Sequence, residues 1–302
     1  MKLIFIVGAT ATGKSDLAVA LAQQLDGEIV NADSMQLYKG MDIGTAKLPL
    51  EQRGGIAHHL IDILEIEEES SVANYQALAR TKIDELNLAN KTVIVVGGTG
   101  LYIKSILDEL NFPDTNLEVR ARLQTESDAL GNEALHNRLA KLDPAAAAAI
   151  PMQNSRRVIR ALEVIELTGK PFTANLPKEG SSRYPEALQF GLVMDRERLA
   201  ENISKRVDSM FSAGLVGEVE SLVKIGLRNG KTARAALGYA QIIRYLDGEL
   251  SEVEAREETK RATRQYARRQ ETWFSRDSRI HWLKGSLAEK LERITSTTIT
   301  AR

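Results

Sequence analysis

Residues 8 to 15 read Gly8-Ala9-Thr10-Ala11-Thr12-Gly13-Lys14-Ser15, a G-x-x-x-x-G-K-S phosphate loop. Its two glycines let the backbone wrap with N–H groups facing inward, and a following helix aims its positive end at the same point. Lys14 adds a full charge for phosphate oxygens, and the Ser15 hydroxyl is a ligand for Mg²⁺. The apolar run Leu3–Val7 precedes the loop, and Leu17, Ala18, Leu21, Ala22 and Leu25 recur at helical spacing behind it. Strand, loop and helix are the context the motif needs, so the chain binds a polyphosphate.

Further along, Asn31-Ala32-Asp33-Ser34-Met35-Gln36 follows a second strand. Asp33 falls at a strand's carboxyl end, on a strand expected to neighbour the phosphate loop. A carboxylate there takes a proton from an acceptor nucleophile, holds Mg²⁺ through water, or simply caps a helix. The fourth strand ends in Val96-Gly97-Gly98-Thr99-Gly100. A phosphate-loop ATPase would carry an acid at this point to position the metal and water, and its absence argues against a hydrolytic motor or switch. Glycines admit a substrate close to the backbone. The Thr99 hydroxyl then either holds a base or phosphate oxygen or caps the next turn.

Two arginine features remain. Arg206 lies in Lys205-Arg206-Val207-Asp208-Ser209-Met210 on an amphipathic helix, where one arginine ordinarily is solvated or paired. Lys260-Arg261-Ala262-Thr263-Arg264-Gln265-Tyr266-Ala267-Arg268-Arg269-Gln270 contains five cations and no acid. Arg261, Arg264 and Arg268 share one helical face, a pattern suited to phosphate contact. His58 and His59 are adjacent in an extended segment and point opposite ways, so they make no chelate.

The elements that position these groups alternate in the first part of the chain. Strands are expected at 2–7, 28–31, 59–63 and 92–96, and helices at 14–25, 74–88 and about 102–110. Short buried strands alternating with helices give a parallel sheet covered on both faces, with the site beyond the strands' carboxyl ends. From Asn116 to Thr168 the signals are helical only, ending at Gly169-Lys170-Pro171, and Gly180-Ser181-Ser182 reads as a linker. Strands return at 188–194 and 279–283, with helices over 199–227, 234–246 and 251–275 between them. The fold expected is α/β, a P-loop NTPase-like core over 1–113 and 183–302 interrupted by an all-helical insertion over 114–182. The insertion's charges balance, but Arg156, Arg157 and Arg160 cluster at one helix start.

Composition narrows the class. The 302 residues are 43% apolar and 27% charged with net charge −1, so nucleic-acid contact would come from local patches. The chain has no cysteine, which excludes disulfides, cysteine-ligated zinc, iron–sulfur clusters and thiol catalysis. Met1 leads almost directly into the first strand, and no apolar run reaches the roughly 18 residues of a membrane span. A cytoplasmic protein is expected.

Taken together the motifs resemble the bacterial tRNA dimethylallyltransferases (tRNA isopentenyltransferases). They are the phosphate loop, Asp33-Ser34-Met35-Gln36-Leu37-Tyr38-Lys39-Gly40-Met41-Asp42-Ile43-Gly44-Thr45-Ala46-Lys47, His58-His59-Leu60, Gly97-Gly98-Thr99-Gly100-Leu101-Tyr102, Arg156–Glu163, Leu237-Gly238-Tyr239 and Thr263–Gln270. The resemblance runs from residue 2 to about 283. It implies a P-loop core with a mobile helical insertion. The implied activity is transfer of a dimethylallyl group from dimethylallyl diphosphate to N6 of the adenosine 3′ to the anticodon. That is position 37 of tRNAs reading codons that begin with U.

On this resemblance the loop, with Mg²⁺ on Ser15, and Arg206 hold the leaving diphosphate. Asp33 is the base and Thr99 a hydroxyl near the reacting centre. Asp33, Ser34, Met35, Gln36, Thr99, Arg120, Arg156, Arg157, Val158, Ile159 and Arg160 match positions that touch the tRNA anticodon arm, and Arg264 and Arg268 extend the basic surface. Eukaryotic relatives carry a zinc finger, and this cysteine-free chain resembles the bacterial, monomeric form, with no zinc and no membrane contact. Two other readings share the loop. A small-molecule kinase would turn over ATP, and an adenylate prenyltransferase of the cytokinin type would prenylate free AMP.

Overall fold

The computed structural model describes residues 2–175 and 181–300. Gly180 of the expected linker lies outside them. In chain order the elements are β1 (Leu3–Gly8), α1 (Lys14–Leu25), β2 (Gly27–Asn31), β3 (His58–His59), α2 (Val72–Leu88), β4 (Thr92–Gly97) and α3 (Gly100–Leu107). Helices α4 (Leu117–Leu130), α5 (Asn132–Leu142), α6 (Pro144–Ala149) and α7 (Ser155–Thr168) follow. Then come β5 (Leu188–Leu192), α8 (Arg196–Ser212), α9 (Leu215–Lys224), α10 (Tyr239–Leu246), α11 (Glu252–Phe274), β6 (Ile280–Leu283) and α12 (Leu287–Thr300).

All six strands form one parallel sheet in the order β3-β2-β4-β1-β5-β6. Successive side chains of β1 alternate between two cores. Leu3, Phe5 and Val7 join Tyr75, Ala79, Ile83 and Ile106 of α2 and α3. Ile4 and Ile6 join Leu17 and Leu21 of α1 with Ile294 of α12. Burial on both faces explains why the strand is apolar throughout rather than alternating. A third core of Tyr38, Met41, Val207, Phe211, Leu215 and Tyr239 gathers α8, α9 and α10 with the segment after β2.

The strand order corrects one expectation. β2 does not adjoin β1, because β4 lies between them. Asp33 therefore reaches the phosphate loop across the end of β4, and that end must be small. A Cβ at Gly97 would lie 2.2 Å from the carbonyl oxygen of Ala32. The obstacle is backbone, so Gly97→Ala should destabilise the protein by about 1–3 kcal/mol, read as a fall in urea midpoint. An unchanged midpoint would mean that the two strand ends separate freely.

Three other boundaries differ from the sequence expectation for local reasons. β3 stops after two residues because Leu60 (φ 58°) and Asp62 (φ 56°) adopt left-handed backbone. The helix expected from Arg234 begins only at Tyr239, after a 3₁₀ turn at Ala233–Ala235 and a left-handed Gly238 (φ 87°). Gly214 (φ 96°) divides α8 from α9. The threonine-rich α12 has no counterpart in the sequence reading, although the Glu289 amide donates to Ser286 Oγ and the Ser286 amide donates back to the Glu289 carboxylate, a start signal.

The chain divides into two compact units, Met1–Leu107 with Tyr184–Arg302, and Asp108–Arg183. The second is all helical, packed around Leu123, Leu135, Leu139, Val158, Ile159 and Leu162. It begins six residues before the boundary expected at 114, where an isolated bridge pairs Asp108 with Ser182.

Candidate functional site

The phosphate loop leaves β1 at Gly8, whose added Cβ would meet the carbonyl of Leu192 on β5 at 3.1 Å. It enters α1 through Gly13 (φ 85°), with Ala11 also left-handed at φ 62°. Such a path turns backbone N–H groups inward. The Thr12 hydroxyl donates to Ala9 O at 2.8 Å and Lys14 Nζ donates to the same carbonyl at 2.6 Å. Burial, then the charge of Arg206, lowers the Lys14 pKa to about 8, with Asp33 pulling the other way.

Arg206 reaches this loop from α8. One turn earlier on the same helix, Asn202 Nδ2 donates to Ala11 O at 3.3 Å, so α8 is tied to the loop it serves. Burial lowers the Arg206 pKa and Asp33 partly restores it. Among the described residues no carboxylate lies within ion-pair distance of its guanidinium. This is not the solvated or salt-bridged arginine that an isolated helical Arg suggests. Two close cations and inward amides make an anion site with unspent positive charge.

Asp33 stands opposite. Its amide donates to Asn31 Oδ1 and its Oδ1 accepts from Met35 N, both at 3.0 Å, so the carboxylate closes a turn rather than capping a helix. Oδ2 has no hydrogen-bond partner among the described residues. Thr99 fastens this turn to the end of β4. Its amide donates to Ala32 O at 3.3 Å and its Oγ1 accepts from Ser34 N at 3.2 Å. Of the two readings left open for Thr99, the observed contact is with the loop that carries the acid.

Between these groups lies a cavity of about 290 Å³. Thr10, Asp33 and Arg206 line its polar side, and Ile203, Val207 and Met210 of α8 line an apolar one. Gly44 and Thr45 form another edge, held by an acid on α9. Glu218 accepts from the amides of Asp42 (3.1 Å), Ile43 (2.7 Å) and Gly44 (3.2 Å) and from the Tyr239 hydroxyl. A polar, cationic end beside a small apolar wall suits an ester of diphosphate with a short hydrocarbon.

α11 closes the cavity with residues that the sequence reading did not assign. Thr263, Tyr266 and Arg269 line it, and Gln270 lies behind them, buried. Burial, then the Asp33 charge, pushes the Tyr266 pKa up to about 12, partly offset by hydrogen bonding to Thr99 and Gln270. Its hydroxyl stays protonated and able to donate. The signal was an uncharged polar stripe, Thr259, Thr263, Tyr266 and Gln270, at helical spacing on the face away from most of the arginines.

On the outer face the run of cations is less free than the bare sequence implies. Lys260 pairs with Asp208 at 2.8 Å and Glu257 at 2.9 Å, and Arg261 with Glu258 at 3.4 Å, acids lying outside the run. Arg268 is exposed, and Arg264 lines a groove along α8; neither forms an ion pair among the described residues.

In the helical unit Glu163 is fully buried and gathers two arginines. Arg120 Nη2 and Arg160 Nη1 each donate to its Oε2 at 2.9 Å, and Asn116 N donates to Oε1 at 2.9 Å. Burial alone would raise the Glu163 pKa, but the bonds from Arg160, Arg120 and Asn116 outweigh it and hold the group below the usual range. Arg160 also donates to Pro113 O and Asp114 O. Arg156 and Arg157 are exposed, whereas Val158 and Ile159 are buried in the helical core. The expectation that Val158 and Ile159 contact RNA is corrected to that extent: their side chains face inward, and the accessible groups of the segment are its arginines.

A magnesium ion would find a hard oxygen ligand here in the Ser15 hydroxyl, which has no hydrogen-bond partner among the described residues. Among the described residues no group of three or more His, Cys, Asp or Glu side chains could hold a metal. A cation suited to this donor set is one that takes most of its ligands from phosphate and water, as Mg²⁺ does. His59 instead pairs with Glu28 at 2.7 Å, while His58 meets Ile56 O.

A family model described as IPP transferase matches residues 36–277. A protein of Thermobifida fusca (strain YX) named tRNA dimethylallyltransferase is 56% identical over 296 residues, covering 96% of this chain and 92% of that one. One of Streptomyces avermitilis with the same name is 56% identical over 291 residues, covering 96% and 93%. The solved full-length tRNA isopentenylpyrophosphate transferase of Bacillus halodurans aligns with TM-score 0.74 and 40% identity, over 99% of this chain and 96% of that chain. A eukaryotic dimethylallyltransferase described as acting on tRNA aligns with TM-score 0.86 and 28% identity, over 100% of this chain and 80% of that chain.

Proposed function

The chain belongs to the IPP transferase family, and from that premise we propose that it transfers a dimethylallyl group from dimethylallyl diphosphate to N6 of an adenosine in tRNA. The acceptor is the adenosine 3′ to the anticodon, in tRNAs that read codons beginning with U. The observation that carries the reading is that Arg206, beside the Lys14 of the phosphate loop, shares one small cavity with a carboxylate that has a free oxygen. The first pair suits a departing diphosphate and the second a proton leaving an amine.

In the reaction N6 attacks the allylic carbon as the bond from that carbon to the diphosphate oxygen breaks. The loop amides, Lys14 and Arg206 stabilise the negative charge that builds on the leaving group. Asp33 Oδ2 accepts the N6 proton, and Thr99 keeps the Asp33 turn in register with the end of β4. Magnesium, held by Ser15 and the diphosphate oxygens, would neutralise further leaving-group charge when bound. An adenine flipped out of its loop would present its amine without stacking neighbours. Glycine where a phosphate-loop ATPase carries an acid agrees with a diphosphate that leaves rather than a nucleotide that is hydrolysed.

The tRNA surface on this reading comprises Ser34, Met35 and Gln36 beside the base, Arg264 and Arg268 on α11, and Arg120, Arg156, Arg157 and Arg160 in the helical unit. Replacing Arg264 and Arg268 together by Gln should weaken tRNA binding with little sequence preference. The slope of log affinity against log salt should fall by roughly 1 for each phosphate that the double variant leaves without a cation. A titration series from low to moderate salt reads this directly, and an unaltered slope returns both residues to the solvated surface. Among the described residues no helix is long and apolar enough to cross a membrane, and the enzyme is taken to work in the cytoplasm as a monomer.

The deciding experiment supplies labelled dimethylallyl diphosphate and Mg²⁺ with unmodified tRNA and free AMP as competing acceptors, then digests the RNA to nucleosides. Label in the adenosine beside the anticodon supports the reading. Label on AMP alone would overturn it in favour of the free-nucleotide branch.

A further inference from the structure

We infer that Gln270 is a positioning residue that sets the spacing between the leaving-group site and the base. Its side chain is 5% exposed and spends both ends of its amide. Oε1 accepts from the Thr10 amide of the phosphate loop at 2.9 Å, and Nε2 donates to Gly98 O at the end of β4 at 2.8 Å. One planar amide thus bridges the loop that holds the diphosphate and the segment whose next residue, Thr99, fastens the Asp33 turn.

Four observations make this more than a satisfied core glutamine. First, the Thr10 amide belongs to the loop built to point N–H groups at phosphate, and Gln270 commits it to protein instead. Second, Gly98 has no room for a side chain because of Gln270: an added Cβ would lie 2.1 Å from Nε2. Third, Gln270 lies on the same helix as Tyr266 and Arg269 of the cavity wall and Arg264 and Arg268 of the basic face. Fourth, β1 and β4 are adjacent strands, and the Gln270 side chain joins the loop that follows one to the turn that follows the other. In-line displacement needs the amine, the allylic carbon and the departing oxygen held in one geometry, and small misplacements there cost rate rather than affinity. Gln270 acts on that geometry through two backbone groups and the Tyr266 side chain, and does not itself line the cavity.

The inference rests on the prenyl-transfer reading and is tested against it with Gln270→Met, which keeps length and burial but removes the bonds to Thr10 and Gly98 together with the contact to Tyr266. Wild-type protein, assayed in parallel for transfer to tRNA, tests the reading itself. If the wild type transfers, Gln270→Met should lower kcat about 30-fold, while the Kd values for pyrophosphate and tRNA each move less than about threefold. A folded variant with kcat within threefold of wild type would overturn the inference. So would a loss expressed wholly in pyrophosphate affinity, which would make the residue a brace of the binding loop alone.

Should Gln270→Met fail to fold, Gly98→Ala and Gln270→Ala supply a cycle. Gly98→Ala forces its methyl into the bridging amide and should lower kcat as Gln270→Met does. In the Gln270→Ala background that methyl has space, so adding Gly98→Ala should cost no more than twofold. Independent, multiplicative losses would show that the two residues do not act through one bridge.

Discussion

Asp33→Asn should reduce prenyl transfer about a thousandfold, within the range for removal of a general base, while leaving pyrophosphate bound as well as in the wild type or slightly better. Asparagine is the discriminating replacement. Its Oδ1 can still accept the Met35 amide that Asp33 Oδ1 accepts at 3.0 Å, so the turn keeps its shape and only the basic oxygen is lost. Affinity should not fall, because the Asp33 charge faces Lys14 and Arg206 and competes with the incoming anion for them. Single-turnover transfer and pyrophosphate calorimetry separate the two effects. Turnover within tenfold of wild type would remove Asp33 from the proton-accepting role. Equal losses of turnover and affinity would make it a structural residue of the site.

The parts of this site legible in the sequence are those whose chemistry is local. A phosphate loop is a run of eight residues whose backbone path needs Gly8 and Gly13 where they stand, so residues 8–15 announce it. Buried parallel strands read as short apolar runs, and five of the six strands fall within two residues of their expected bounds at either end. What the linear pattern hides is which strand lies beside which. That β4 separates β1 from β2 is set by crossover connections, and only the order of the sheet explains why Gly97 faces the Ala32 carbonyl. Ion pairing is hidden for the same reason. Lys260 looks unopposed along α11, yet its counter-charge Asp208 comes from α8. Val158 and Ile159 sit among arginines in sequence, but helical periodicity turns them into the core. Tyr266 and Gln270 carried a readable spacing, eclipsed by the more conspicuous cations on the same helix.

Arg206→Ala should weaken pyrophosphate binding about 100-fold, roughly 2.7 kcal/mol, in keeping with removal of a charge-assisted hydrogen bond at a buried anion site. The fold should survive, since Arg206 holds no carboxylate that its removal would orphan, and a melting temperature close to wild type checks this. The pH dependence makes the prediction specific. Burial, and after it the charge of Arg206, lowers the Lys14 pKa to about 8, so in the free protein this lysine is charged below that pH and loses its proton above it. Anion binding requires the charged form, and the lysine's contribution to affinity is therefore present below pH 8 and declines as pH rises through it. Removing Arg206 removes a cation that disfavours the Lys14 charge, so the Lys14 pKa rises and the decline moves to higher pH. The ratio of wild-type to variant affinity should accordingly be largest near neutrality and narrow above pH 8, while the ionisation of pyrophosphate itself is common to both curves and cancels. A ratio that stays flat from pH 7 to 9.5 would show that the two cations bind the diphosphate without sensing each other.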